Sequence, residues 1–267
     1  MKSIKILIFS LFFISSLTAQ EPRTPLGDTY FFLGLSMPIV KVRDEGHSSL
    51  MYRGLNSTLR VGYERVGRDV VSRITLSFAT GQIKPKTRPK PEKQLSSAET
   101  NTFEVSYAYY RRINNVYDIE GWNRYFGGAI TLLFDGRTYN LPSNNLFGYQ
   151  ANLSLNAGGF VQKKINNSWR LNDELLTPLL TFAMRPSFIG LMPMKSNDFS
   201  AKKVMKTGKI VTVNKVFRLY NRLGFDQQIN DHRARRLSYT WDGILNNVSR
   251  PLRSVSAGLG YESLFKM

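Results

Sequence analysis

Residues 255–265 read VSAGLGYESLF, with Val255, Ala257, Leu259, Tyr261 and Phe265 on one parity and Ser256, Gly258, Gly260 and Glu262 on the other. A period of two belongs to an extended strand whose faces meet different surroundings. Nine earlier stretches repeat it. The expected strands are 29–42, 54–66, 69–83, 100–113, 122–135, 146–162, 169–185, 209–225, 233–246 and 252–265. In 146–162, Phe147, Tyr149, Ala151, Leu153 and Leu155 oppose Gln150, Asn152, Ser154 and Asn156. The segment 169–185 is least regular, because Leu175 and Leu179 fall opposite Leu176, Leu180 and Phe182. That pattern reads either as a strand covered on both faces or as a break in register.

The N-terminus sets the compartment. Lys2 and Lys5 precede an apolar run from Ile4 to Leu17, and Leu17-Thr18-Ala19 offers a cleavage site that would leave Gln20 first. This is the pattern of a secretory signal peptide over 1–19, with one domain expected over 20–267. The chain has no cysteine, which excludes a lipoprotein anchor, disulfides and thiolate metal sites. Beyond the signal no apolar run reaches helix-spanning length, and Leu175 to Met184 is interrupted by Pro178. A bundle of membrane helices is excluded, whereas a transmembrane barrel is not, because its lumen-facing half lowers the mean hydropathy.

The connections point the same way. Barrels of this kind alternate long external loops with short periplasmic turns and keep both termini periplasmic. Here a long segment around Arg43 to Arg53 precedes the tight Gly67-Arg68, and the basic Lys84 to Glu99 precedes the turn at Asn114 to Gly121. Gly136 to Asn145 then precedes Lys163 to Ser168, and the longest loop, near Pro186 to Gly208, precedes Asp226 to His232. A last loop spans Asn247 to Pro251. The expectation is an all-β, single antiparallel up-and-down barrel of about ten strands. A twelve-stranded version would draw on Ser187 to Met194. Tyr30, Trp122, Phe134, Tyr149, Trp169, Tyr239, Trp241 and Phe265 fall near strand ends, as interfacial girdles require.

With these elements the chain resembles the outer-membrane β-barrel proteins of Gram-negative bacteria, particularly the small barrels of Bacteroidetes. The resemblance covers the whole mature chain and rests on pattern. Its sharpest local element is the C-terminal series Leu259, Tyr261 and Phe265, similar to the signal read by the barrel-assembly machinery, which is therefore an implied partner. The chain departs from that signal at Ser263, which interrupts the series, and at Lys266-Met267, which follow the final aromatic residue.

Parity sends Arg60, Glu64, Arg73, Glu104, Arg218, Arg222, Asp242 and Glu262 to the lumen. Opposed charges in a narrow barrel pair and fill it, because an unpaired buried charge is costly. Four cations against four carboxylates favour a plug over an anion-selective, porin-like channel. The net charge of +18 would suit nucleic acid, a partner that export excludes. The external basic residues, Lys84, Lys86, Arg88, Lys90, Lys93, Lys202, Lys203 and Lys206 with their neighbours Lys195 and Lys209, face lipid and lipopolysaccharide phosphates instead. Only His47 and His232 could serve as a catalytic base. His47 stands beside Asp44, Glu45 and Ser48, the one arrangement compatible with a rim hydrolase. No metal or cofactor site is expected. The leading expectation is a non-enzymatic envelope barrel with a structural or surface-interaction role. The alternatives are a narrow solute channel and a rim hydrolase using His47.

Overall fold

The computed structural model describes residues 28–45, 48–86, 97–113, 122–140, 145–166, 168–185 and 208–267. The strands in chain order are β1 (Asp28–Asp44), β2 (Ser48–Val66), β3 (Val70–Pro85), β4 (Ser97–Arg112), β5 (Trp122–Asn140) and β6 (Asn145–Lys164). They continue with β7 (Trp169–Met184), β8 (Lys209–Thr212), β9 (Val216–Asn230), β10 (Arg233–Asn246) and β11 (Leu252–Lys266). All pairings are antiparallel; chain neighbours pair throughout except β8 and β9, which both pair with β7, and β1 pairs with β11 from Tyr30↔Lys266 to Asp44↔Leu252. The short β8 and the long β9 share one wall position beside β7. The result is a closed, all-β, up-and-down barrel of ten wall positions. Closure leaves no edge strand, so the ladder satisfies the backbone polar groups, which any structure exposed to hydrocarbon must achieve.

The outward parity is apolar and uncovered. On β1 it carries Phe31, Leu33, Leu35, Met37 and Ile39, with Leu35 66% and Met37 63% exposed. The inward parity is packed. Phe32 and Leu264 are buried with Tyr30 and Ala234 near the end that holds the termini, and Val71, Tyr110, Tyr125 and Phe160 form a larger cluster on the opposite wall. At the far end Val40, Val42, Tyr52, Ile83, Tyr139 and Leu252 close together, with Tyr52 and Tyr139 edge to face at 5.4 Å.

Several expectations change. The first connection is not long: β1 runs to Asp44 and β2 starts at Ser48. β5 likewise continues through residues 136–140, and β9 continues to Asn230, so the turn before β10 is only Asp231-His232. The two-faced apolarity of β7 is a β-bulge. Leu155 pairs with Leu180 and Asn156 with Pro178, which leaves Leu179 as the extra residue. Parity flips there: Asn172, Glu174 and Leu176 point inward before it, Thr181 and Ala183 after it. Across the seam, the expected strand 209–225 is broken at 213–215, and residues 177–179 of β7 stand opposite 213–219. Tyr30 is no girdle residue, since it is inward and 3% exposed. Trp169 does lie on the outer face, stacked on Phe225 at 4.6 Å. The wall closes with ten positions and not twelve. Ser187 to Met194 and the signal segment 1–19 lie outside the described residues.

Phe32 and Gly62 face each other across β1 and β2, and a Cβ at Gly62 would collide with the Ile74 carbonyl oxygen of β3 and stand 2.5 Å from the Phe32 ring. The ring occupies the room that the glycine leaves, an aromatic cover that pins register. Gly62→Val is expected to lower the unfolding free energy by about 1–3 kcal/mol, measured by urea unfolding of the refolded barrel. Adding Phe32→Leu should recover part of that loss.

Candidate functional site

The interior is built in tiers along the barrel axis. In the first, Arg236 of β10 grips Glu64 of β2 with two bonds at 2.8 and 3.1 Å, and Asp226 of β9 with two at 2.5 and 2.9 Å. Such fork geometry is available only to a guanidinium. Glu64 also accepts from Arg73 of β3 at 3.3 Å, and Arg73 pairs with Glu174 of β7. Glu174 accepts from the Tyr110 hydroxyl at 2.6 Å. On the other side Asp226 accepts from Asn172 at 2.6 Å, and Asn172 accepts from Gln162 at 3.1 Å. The chain of bonds therefore runs from β6 across the lumen and back to β4. Glu262 of β11 joins it through Arg222, with Arg236 at 3.6 Å and Arg60 at 3.9 Å.

Arg218 of β9 forms the second tier, holding Asp242 at 2.8 and 2.9 Å and Glu104 at 2.6 Å. The third lies nearer the far end. Arg137 pairs with Asp135 and, at 3.5 Å, with Asp44, which also accepts from Arg185 at 2.5 Å. Gln150 and Asn246 extend this group, donating to Asp135 and Gln150 at 3.0 Å each. Between the second and third tiers lies a polar cavity of about 120 Å³, bounded by Arg60, Arg218, Tyr220, Asp242 and Arg137. A cavity of this size with polar side chains on its wall has room for water.

These tiers bring together Arg60, Glu64, Arg73, Glu104, Arg218, Arg222, Asp242 and Glu262 in one interior. They add residues that the sequence reading did not select. Arg236 shares the parity of Asp242 on its strand and was recoverable from alternation alone. Glu174 was obscured by the irregular apolar pattern of its strand, and Asp226 by a strand end placed five residues too early. Asp44, Asp135 and Arg137 were assigned to loops or strand ends. Of the basic loop residues, Lys84 and Lys86 are described, and both are exposed. Arg88, Lys90, Lys93, Lys202, Lys203 and Lys206 lie outside the described residues, as does His47. Asp44, expected beside His47, is 4% exposed and turned inward between two arginines. His232 sits in an exposed turn at the end carrying the termini. Among the described residues no three metal-ligating side chains converge.

No family model and no curated protein matches this sequence. Among solved structures, the outer membrane protease OmpT from Escherichia coli aligns over 93% of this chain and 99% of its own, at 6% identity and a TM-score of 0.56. The transport unit of the autotransporter AIDA-I from Escherichia coli aligns over 97% and 96%, at 8% identity and 0.46. Neisserial surface protein A aligns over 87% and 95%, at 10% identity and 0.36. The OmpT likeness concerns the fold, and the fold is that of an outer-membrane β-barrel of Gram-negative bacteria.

Glu174 tests the first tier. Glu174→Leu leaves the Tyr110 hydroxyl without its acceptor and Arg73 with Glu64 alone. The expected cost is about 3 kcal/mol in unfolding free energy, read from urea titration. A change under about 0.5 kcal/mol would place Glu174 outside the network.

Proposed function

We propose that the protein is an integral outer-membrane barrel, non-enzymatic and non-conducting, whose ion-paired interior serves rigidity and whose outer surface serves the envelope. Export by the segment 1–19, insertion by the barrel-assembly machinery and a periplasmic location of both termini belong to this reading. The short connections at 67–69 and 231–232 lie at the end with the termini, which supports that orientation. The observation that carries the proposal is the first tier. Glu64, Arg236, Arg73, Glu174, Arg222 and Glu262 are each under 8% exposed and come from six strands distributed around the lumen. A continuous solute path would have to break these desolvated pairs. The apolar clusters toward both ends close the interior further.

A rim hydrolase is disfavoured because both carboxylates beside His47 are engaged, Asp44 with Arg137 and Arg185 and Glu45 with Arg43. A general base needs its orienting carboxylate within reach. Purified barrel in planar lipid bilayers is expected to give no stable single-channel steps. Steady, reproducible conductance would replace this reading with the channel. Hydrolysis of surface lipid or peptide is expected to stay at background in wild type. A hydrolysis lost in His47→Ala would establish the rim enzyme.

A further inference from the structure

The outer face near the far end differs from the rest of the wall. Lys41 of β1 stands directly opposite Arg53 of β2, and Arg53 directly opposite Lys84 of β3. All three side chains are exposed on the outward parity. With strands ~4.8 Å apart, they form a cationic row about 10 Å wide. One step beyond, Arg43 faces Arg253 of β11, and Lys86 follows Lys84. Glu45 takes up Arg43 at 3.4 Å, and among the described residues no carboxylate pairs with Lys41, Arg53 or Lys84. Like charges set directly across a ladder repel, so an anion bridging neighbouring strands would stabilise the row.

Below the row runs an apolar groove of about 930 Å³. Its floor is Ala257, the small residue between Ile39 on β1 and Trp241 on β10. Leu35 and Met37 form one wall and Tyr239 the other, while Lys41 and Arg53 edge its far end. A second hollow of about 500 Å³, between Ile39, Leu55, Lys84 and Lys86, continues it sideways past Arg53. Cations at the head of an apolar trough match a lipid with a phosphorylated headgroup and several acyl chains.

We propose that this seam binds lipopolysaccharide of the outer leaflet. The assignment rests on the membrane-embedded reading above. The far end lies opposite the termini and is where β3 ends before the long stretch to β4 and β7 before the longest stretch to β8, which fits an external interface for the row. A row of cations on adjacent strands suits a headgroup with more than one phosphate better than a single phosphodiester. Acyl chains gain little by leaving other lipid for the groove, so charge supplies the selectivity and the trough fixes the pose. This site enlarges the expected lipid contact of Lys84 and Lys86 from loop charge to a surface on five strands.

The test uses full-length mature barrel refolded in neutral detergent micelles and titrated with purified rough-type lipopolysaccharide. Dephosphorylated lipopolysaccharide and cardiolipin serve as comparators, and native mass spectrometry reads occupancy. Wild type is expected to prefer lipopolysaccharide over both comparators. Combining Lys41→Gln, Arg53→Gln and Lys84→Gln is expected to weaken binding at least about tenfold, because each interfacial cation contributes about fivefold. Ala257→Phe fills the floor and is expected to weaken it by a smaller factor with unchanged salt dependence. The proposal falls if the triple variant binds lipopolysaccharide as wild type does, or if wild type takes cardiolipin equally well. Heat-modifiable migration on gels separates the two levels. A barrel that shifts on boiling yet ignores lipopolysaccharide overturns this site alone, whereas a wild-type chain that never shifts overturns the membrane reading with it.

Discussion

The grip of Arg236 on Glu64 and Asp226 is the interaction around which the interior is organised. A ten-stranded barrel is narrow enough for side chains to fill much of its interior, and here apolar clusters and charged groups share that space. Charges placed there lose most of their hydration, at a cost that only close, multiply bonded partners offset. Arg236 supplies that compensation to carboxylates from two strands, and Arg73, Arg222 and Arg60 extend it to others. The wall makes room accordingly. A Cβ at Gly34 would stand 2.4 Å from Cγ of Glu262, and one at Gly224 3.2 Å from Cδ of Arg236. Small inward residues thus sit where long charged side chains cross the lumen, so the backbone positions and the ion pairs specify one another.

Alternation made the fold legible. Where an apolar outer parity faces a polar inner one, as in β1 from Phe31 to Ile39 or β6 from Phe147 to Leu155, two-residue periodicity fixes both strand and direction. It failed where the outward side chains become polar while the strand continues. Beyond Val42, where the expected strand stopped, β1 carries Arg43 outward and Asp44 inward, so both faces read as loop although the ladder persists to Asp44. The inner charges Asp44 and Arg137 were misplaced for this reason. The bulge at Leu179 produced the opposite error. One extra residue reverses the parity within a strand, so Leu175 and Leu180 both point outward although their numbers differ in parity. Glu174, five residues earlier, was lost to the same ambiguity.

In the proposed non-conducting barrel, specificity moves to the outside of the wall. The inner tiers come from strands all around the barrel and bind to one another, with small pockets left between them. The outer face has a uniform apolar band on most strands and departs from it at the β10–β11–β1–β2–β3 seam, where Ala257 lowers the surface and Lys41, Arg53 and Lys84 line up above it. Interior charge balance and exterior charge excess are therefore two consequences of one arrangement. Carboxylates are drawn inward to meet arginines, and many of the remaining lysines and arginines are left on the rims.

The central claim is that the first tier holds the barrel together as paired charges. It is tested most directly by a double-mutant cycle on Glu64 and Arg236, using Glu64→Gln, Arg236→Met and their combination, with unfolding free energies from urea titration in lipid vesicles. The account predicts that the double variant is less destabilised than the sum of the single ones, with a coupling of about 1–3 kcal/mol. Additive losses, with a coupling indistinguishable from zero, would contradict it.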